Sequence, residues 1–162
     1  MVKVEIREAT DKDLPAVLSL CAQLDGKSEP ELSLEQAQRI FTRIKSYPDC
    51  RIYVAVANGE IVGTFTLLIM DLLAHGGAPS GIVEDVIVDA KWRGKGIGKQ
   101  MMQFAMDRCR EKGCYKLALS SKIKREAAHR FYEALGFKKH GYSFVVEIKR
   151  RRLDDYKRLK RI

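Results

Sequence analysis

The most informative part of the sequence is residues 83–99, which read Val-Glu-Asp-Val-Ile-Val-Asp-Ala-Lys-Trp-Arg-Gly-Lys-Gly-Ile-Gly-Lys. Its apolar run, 86–88, predicts a strand that ends in a turn, and the alternating glycines then open a long amphipathic helix. Glycine lets the backbone approach an anion closely, and the free N–H groups of a helix's first turn point at it. Lys95 and Lys99 add positive charge at the same end. The stretch therefore predicts a phosphate-binding site between a strand and a helix.

The spacing of these glycines shows which of the known phosphate-binding motifs the loop matches. The Walker loop requires four residues between its first glycine and a Gly-Lys-Ser/Thr ending, which is absent here, and the glycines at 94, 96 and 98 do not match Gly-x-Gly-x-x-Gly. The pattern is instead Arg-x-x-Gly-x-Gly, from Arg93 to Gly98. It resembles the pyrophosphate loop of the GNAT superfamily of acyl-CoA N-acyltransferases. Taken alone, these glycines also fit a simple turn between a strand and a helix.

A second segment strengthens the resemblance. The stretch Ala128-x-x-Phe-Tyr-x-x-Leu-Gly-Phe137 resembles the other GNAT signature and lies at the expected distance downstream. Gly136 is predicted to end the helix in a left-handed conformation, and Phe137 to start the next strand. The resemblance extends from about Ile6 to Ile148, nearly the whole chain.

Composition and length describe one ordinary globular domain. The 162 residues are 46% hydrophobic and 31% charged. No apolar run approaches the ~20 residues that span a bilayer, and the first residues lack the apolar core of a signal peptide. We therefore expect a cytoplasmic protein with no membrane partner. The cysteines (Cys21, Cys50, Cys109 and Cys114) show no metal-binding spacing, so we expect structural thiols and no metal.

The net charge of +9 is concentrated at the end of the chain. Residues 149–162 hold eight basic and two acidic residues, or +6, which leaves +3 for residues 1–148. We therefore expect a single acetyltransferase domain over 1–148 and a basic extension over 149–162. Such an extension can contact nucleic acid, an acidic lipid surface or an acidic partner, but charge runs are usually solvated faces, and we favour that interpretation.

The predicted element order is β-α-α-β-β-β-α-β-α-β, with the last strand around 138–148. This is the order that the GNAT fold implies: an α/β (α+β) architecture with a mixed, mostly antiparallel sheet of six to seven strands. The resemblance further implies helices on both faces and a splayed central strand pair that accepts the pantetheine arm of acetyl-CoA. A homodimer is left open.

The resemblance implies which residues bind the cofactor. Backbone groups of Val86, Ile87 and Val88 are expected to pair with pantetheine like another strand. The pyrophosphate is expected on the N–H groups of the loop, namely those of Arg93, Gly94, Lys95, Gly96, Ile97, Gly98 and Lys99. Arg125 replaces the Asn that many members have, and it can meet the 3′-phosphate of the cofactor. His129 is either a polar residue at the cofactor rim or a catalytic one.

The resemblance also implies catalytic roles. Val88 N–H is expected to stabilise the oxyanion. Tyr132 stands where many members place a tyrosine near the thioester sulfur, and a phenol can protonate a departing thiolate; otherwise it is an aromatic packed on the sheet. The candidate bases are Glu84 and Asp85. Strand alternation would place Glu84 on the side of Val86 and Val88 and Asp85 on the opposite side, and we favour Glu84.

The sequence says least about the identity of the acceptor amine. The stretches 84–99 and Gly113-Cys-Tyr-Lys116 resemble glucosamine-6-phosphate N-acetyltransferases, but Ser120 and Ser121 stand where those enzymes have Asp-Cys at the expected amino-sugar contact. Small-amine acetyltransferases of the aminoalkylphosphonate or aminoglycoside type share the Ser-Ser version. We therefore predict acetyl transfer from acetyl-CoA to a small primary amine, with coenzyme A as product. The alternatives are a protein amine acetyltransferase and a non-enzymatic acyl-CoA sensor or nucleic-acid-associated regulator that uses the basic extension.

Overall fold

The computed structural model describes residues 1–24, 32–146 and 148, and the chain divides into two compact units, 1–123 and 124–162, which are described separately. The first unit contains all strands of the described part and three of its α-helices. In chain order these are β1 (Glu5–Glu8), α1 (Leu14–Cys21), α2 (Leu34–Lys45), β2 (Cys50–Ala57), β3 (Glu60–Met70), β4 (Ser80–Val88), α3 (Ile97–Glu111) and β5 (Lys116–Ala118). The second unit contains α4 (Glu126–Ala134).

The sheet of the first unit has the strand order β1-β2-β3-β4-β5. The first four strands pair antiparallel, and β4 pairs with β5 in parallel. The mixed, mostly antiparallel sheet is therefore confirmed. Its described part has five strands, however, and the prediction of six to seven was too high.

Helices cover both faces of this sheet, as predicted. On one face, the core contains Val17 of α1, Phe41 of α2 and Val54 of β2. On the other face, Phe104 of α3 packs edge-to-face against Tyr53 and Phe65, with ring centroids 5.0 and 6.4 Å away. Since neighbouring residues of a strand point to opposite faces, Tyr53 and Val54 identify an α3 face and an α1/α2 face.

Local sequence signals set the ends of these elements. Ser33 and Gln36 form the predicted capping box at the start of α2: Gln36 N–H donates to Ser33 Oγ at 3.2 Å, and Ser33 N–H donates to Gln36 Oε1 at 2.9 Å. Asn58 and Gly59 both have positive φ angles, 50° and 80°, as a two-residue hairpin turn with primed geometry requires. No helix among the described residues is both long and apolar enough to cross a membrane.

The second unit confirms one prediction and corrects another. Gly136 has φ 92°, and the N–H groups of Gly136 and Phe137 donate to Glu133 C=O and Tyr132 C=O at 3.0 and 3.1 Å, which is a Schellman end for α4. No strand forms among the described residues after Phe137, so the strand predicted there is wrong. Alternating side chains predict a strand, but it also needs a neighbour to take its backbone hydrogen bonds. The basic extension, 149–162, lies outside the described residues.

Candidate active site

The pairing of β3 with β4 contains a β-bulge. Thr66 lies opposite Glu84 and Thr64 lies opposite Ile87, so Asp85 and Val86 together lie opposite the single residue between the two threonines. Asp85 has φ 51°, a left-handed conformation that is uncommon outside glycine but tolerated by Asp. The strand that the sequence stretch predicted is therefore irregular at its two acidic residues.

The bulge changes which side chains share a face. Phe65 packs on α3, so Thr64 and Thr66 face α1 and α2, and their partners Ile87 and Glu84 do the same. Val88 lies opposite Gly63, whose α-carbon faces Met101 of α3. Glu84 and Val88 are therefore on opposite faces. The prediction that Glu84 and Val88 share a face is wrong. It assumed uninterrupted alternation, and one inserted residue reverses the alternation beyond it.

Both acidic side chains lie on the side of α1. Burial and, secondly, the charge of Asp85 raise the pKa of Cys21, the last residue of α1, so that carboxylate lies near this helix. Glu84 remains solvent-accessible, yet partial burial of its carboxylate and the neighbouring charge of Asp85 raise its pKa. A carboxylate with a raised pKa is a better general base near neutral pH.

The other edge of β4 is open over its second half. β5 pairs only with Ser80–Ile82, and none of the described residues pairs with 83–88 on that side. Asp89 N–H donates to Val62 C=O at 2.9 Å, which makes Val88 and Gly63 a non-hydrogen-bonded pair. The backbone N–H of Val88 therefore points away from β3, toward the open edge. This divergence corresponds to the splayed strand pair that the resemblance implied.

The glycine-rich loop leads from this edge into α3. Gly94 and Gly96 have φ angles of 74° and 82°, and Gly96 caps the helix without a side chain. The first backbone hydrogen bond of α3 is Gln100 N–H to Gly96 C=O, 3.3 Å. The helix itself therefore supplies no acceptor for the N–H groups of Ile97, Gly98 and Lys99, which point at the loop with the positive end of the helix dipole.

Two side chains of the loop have defined contacts. Arg93 Nε donates to Val88 C=O at 3.1 Å, which holds the start of the loop against the end of β4. Lys95 Nζ lies 4.6 Å from the centre of the Trp92 ring. A Cβ built on Gly94 meets no atom within 4 Å, so its backbone faces open space. An anion can approach this part of the loop closely.

Tyr132 lies in the second unit, within α4. Its ring contacts Phe131 and Phe137 edge-to-face, with centroids 5.1 and 5.6 Å away. Burial raises the pKa of the Tyr132 phenol and the charge of Arg125 lowers it, with burial the larger effect. The phenol is therefore protonated at neutral pH and can donate a proton. Arg125 precedes α4, and its C=O accepts the N–H of His129 at 3.0 Å.

Ser121 carries an unusual hydroxyl. Among the described residues, its Oγ is the one buried side-chain oxygen or nitrogen that lacks a hydrogen-bond partner. Leaving a buried hydroxyl unsatisfied costs free energy, and such groups call for an explanation such as a bound ligand. Its neighbour Ser120 already has an interaction partner.

A comparison with protein families assigns this arrangement. The sequence profile of the Acetyltransferase (GNAT) family matches residues 17–137, which include the bulged strand, the glycine-rich loop and α4. The chain is a GNAT acetyltransferase.

Individual relatives of this acetyltransferase agree with the family. A glucosamine 6-phosphate N-acetyltransferase from Trypanosoma brucei brucei is 34% identical over 140 residues, covering 86% of this chain and 92% of the relative. An aminoalkylphosphonate N-acetyltransferase from Salmonella typhimurium is 31% identical over 141 residues, covering 87% and 89%. The crystal structure of a glucosamine-6-phosphate N-acetyltransferase from Arabidopsis thaliana matches with a TM-score of 0.79 at 28% identity, covering 91% and 99%. The chain is thus an N-acetyltransferase enzyme.

The thiols of the acetyltransferase are not arranged for chemistry. All four cysteines are free, Cys50 and Cys109 are buried, and burial followed by the neighbouring Cys114 raises the pKa of Cys109 to about 12. A thiol that stays protonated is a poor nucleophile. In the described part of the chain, no three His, Cys, Asp or Glu side chains are grouped as a metal site would require.

Sequence reasoning missed two features of this acetyltransferase. The bulge at Asp85 was missed because an Asp tolerates a left-handed backbone but does not by itself mark a bulge, so only the paired strand reveals it. The second feature is the side chain of Gln100, which donates to Gly96 C=O at 3.3 Å. It was overlooked because Gln100 follows the glycine motif and lies outside the apolar stripe of α3. Its position three residues after buried Ile97, on a helix turn that faces the protein, was the available signal.

Proposed function

We propose that this enzyme transfers the acetyl group of acetyl-CoA to a primary amine of a small molecule by direct attack of the amine. The observation that carries the proposal is the open edge of β4, with the Val88 N–H directed outward, which leads into the unsatisfied N-terminus of α3. An extended arm beside a strand edge and an anion at a helix N-terminus are the two things that such an arrangement binds.

The proposed cofactor site follows these two features. Backbone groups of Val86 and Val88, on either side of Ile87, take the pantetheine arm at the open edge. The N–H groups from Gly96 to Lys99 and the charges of Arg93, Lys95 and Lys99 take the pyrophosphate. Arg125 meets the 3′-phosphate and His129 lines the rim.

The proposed chemistry uses three groups. The acceptor nitrogen bonds to the carbonyl carbon of the thioester. The Glu84 carboxylate removes a proton from this nitrogen before or during the attack, either directly or through a water. The Val88 N–H donates to the carbonyl oxygen as it gains negative charge. When the carbon–sulfur bond breaks, Tyr132 gives its phenolic proton to the thiolate, and the phenolate is reprotonated from solvent. The thioester supplies the activated acetyl group.

The acceptor is proposed to be a small amine that also carries an anionic or hydroxylated group. Two relatives act, by their names, on glucosamine 6-phosphate and on aminoalkylphosphonates. The unpartnered Ser121 hydroxyl supports a polar contact with such an acceptor, beside Ser120. Asp85, next to Glu84 on the α1 side of β4, attracts the acceptor's ammonium group.

A thiol-release assay tests this proposal. Acetyl-CoA is mixed with the enzyme and a panel of acceptors: glucosamine 6-phosphate, aminoalkylphosphonates, an aminoglycoside, polyamines and a lysine peptide. Turnover of a small amine, lost in Glu84→Gln and kept in the surface control Glu60→Gln, is the expected result. Preference for the peptide would replace the small acceptor by a protein one, and CoA binding without turnover of any amine would favour a sensor.

We also propose that the enzyme forms a homodimer and resides in the cytoplasm. Tyr142, Phe144 and Val146 are 92%, 92% and 78% exposed, and clustered apolar side chains of this kind mark protein contacts. Analytical ultracentrifugation is expected to show a dimer that dissociates when Tyr142 and Phe144 are both changed to Ser. A monomer at micromolar concentration would refute this part.

A further inference from the structure

The residues before β1 lie against the pyrophosphate loop. Val2 N–H donates to Lys95 C=O at 3.1 Å. A Cβ built on Gly96 would lie 2.6 Å from Cγ of Met1, so this part of the chain also contacts the helix cap. Met1–Val4, here called the N-terminal segment, is therefore in contact with both Lys95 and Gly96.

One side chain connects this segment to the cap of α3. The amide nitrogen of Gln100 donates to Val2 C=O at 2.6 Å and, at 3.3 Å, to the C=O of Gly96. The amide oxygen of Gln100 accepts the N–H of Val4 at 3.2 Å. Both the oxygen and the nitrogen of this carboxamide are thus hydrogen-bonded. Two of its partners, Val4 and Val2, are 96 and 98 residues away in the sequence, and the third, Gly96, is the helix cap.

The backbone that Gln100 holds is the part that must be preorganised. Gly96 is in a left-handed conformation, φ 82°, and it directs the following N–H groups toward the loop. Those groups bind an anion well only if their orientation is fixed beforehand, because ordering them on binding would cost affinity. The contacts of Gln100 fix Gly96 and, through Val2, the neighbouring C=O of Lys95.

We infer that Gln100 is a positioning residue for the pyrophosphate of acetyl-CoA, acting through Gly96 and the N-terminal segment without touching the cofactor. The inference rests on the proposed function. Cofactor affinity then depends on a side chain that follows the glycine motif and whose described hydrogen bonds all go to the backbone of Val2, Val4 and Gly96. The acetyl-transfer step itself does not depend on it.

The alternative is that Gln100 only fastens the N-terminal segment to the fold. A fastening role would lower thermal stability but would affect all donors equally. A positioning role affects only donors that carry a pyrophosphate. S-acetylpantetheine has the thioester and the pantetheine arm without the pyrophosphate, so it separates the two.

The test compares Gln100→Met with Gln103→Met. Methionine keeps the length and helix propensity of glutamine and removes the hydrogen bonds. Gln103 is exposed on the same helix and bonds only to Asp107 among the contacts described, so it is the matched control. Losing these three hydrogen bonds predicts that Gln100→Met weakens CoA binding, measured by calorimetry, by about tenfold. The KM for acetyl-CoA is expected to rise by a similar factor at unchanged kcat, and Gln103→Met is expected to match the wild type.

The donor comparison decides the outcome. With S-acetylpantetheine, Gln100→Met is expected to have the kcat/KM of the wild type. An equal loss with both donors, or unchanged CoA affinity, would overturn the inference. If Gln100→Met does not fold, Val4→Pro removes the N–H that donates to Gln100, along with the valine side chain, and must show a smaller loss with acetyl-CoA and none with S-acetylpantetheine. A wild-type enzyme that does not bind CoA would refute the proposed function, whereas wild-type binding with an unaffected variant refutes the inference alone.

Discussion

β4 pairs differently with its two neighbouring strands. Toward β3 it pairs antiparallel from Ser80 to Val88, interrupted by one bulge. Toward β5 it pairs in parallel over Ser80–Ile82 and then ends its pairing. The first side stabilises the strand, and on the second side no strand among the described residues pairs with 83–88.

The difference supports the binding site proposed at this edge. An unpaired strand edge inside a protein is costly unless something else bonds to it. The bulge adds a second effect, because it turns Glu84 and Asp85 toward α1 while Val88 stays on the α3 face. The open side of β4 can thus bind the acetyl donor while the α1 side presents the acidic groups. The following predictions test this division of roles.

The largest expected effect is on cofactor binding. Gly96→Asp forces a residue with a side chain into φ 82°, against Met1, and puts a negative charge at the helix end that is proposed to hold the pyrophosphate. Strain and repulsion together predict a loss of CoA affinity of at least about 1,000-fold, measured by calorimetry.

A matched control isolates the site from the strain. Gly113 also has a positive φ, 71°, but lies beyond the other end of α3, and a Cβ there meets nothing within 4 Å. Gly113→Asp introduces comparable backbone strain without touching the loop. If both variants bind CoA equally well, the open edge and its loop are not the cofactor site.

The next effect is on the acidic side of β4. Glu84→Gln keeps the shape of the side chain but cannot accept a proton, so kcat is expected to fall by about 10² to 10³. CoA affinity is expected to stay unchanged, because Glu84 lies on the face opposite Val88. Kinetics with the best acceptor and calorimetry with CoA check both statements. A variant that loses CoA binding along with activity would show that the two sides of β4 are not separate.

Tyr132→Phe asks whether the second unit contributes to the chemistry. The change removes the proton donor and leaves the ring that packs on Phe131 and Phe137, so kcat is expected to fall by about 10 to 1,000-fold with intact CoA affinity. Tyr142→Phe, at an exposed position of the same unit, is the control and should have no effect on turnover. Wild-type turnover in Tyr132→Phe would reduce this residue to packing.

The sequence predicted those parts of the fold that depend on local signals. The capping box of Ser33, the turn at Asn58 and the helix end at Gly136 each require particular residue types at fixed spacing, and each is confirmed. The glycine loop is equally local: Gly94 and Gly96 are left-handed, and the predicted helix begins directly after them at Ile97.

The parts that failed depend on pairing between distant strands. The apolar alternation after Phe137 could not show whether a neighbouring strand was available. The bulge at Asp85 could not be predicted, because it consists of two residues of β4 lying opposite one residue of β3. That mismatch is defined only once the two strands are paired. The faces of Glu84 and Val88 were therefore assigned wrongly. Their selection as the base and the oxyanion donor stays a prediction.

The smallest expected effect concerns the pH dependence of the acidic pair. Glu84 must be deprotonated to act as a base, and its pKa is raised by burial and by Asp85, so activity should decline as pH falls through a pKa above the usual glutamate range. Asp85→Asn removes the like charge and suits the left-handed backbone, φ 51°. The pKa of Glu84 then falls, and the acid limb of the kcat/KM profile is expected to move to lower pH. Above that limb, kcat/KM is expected to fall by about two- to fivefold, because Asp85 no longer attracts the ammonium group of the acceptor. An acid limb that does not move would mean that Glu84 is not the titrating base, and an unchanged kcat/KM above the limb would mean that Asp85 does not attract the acceptor.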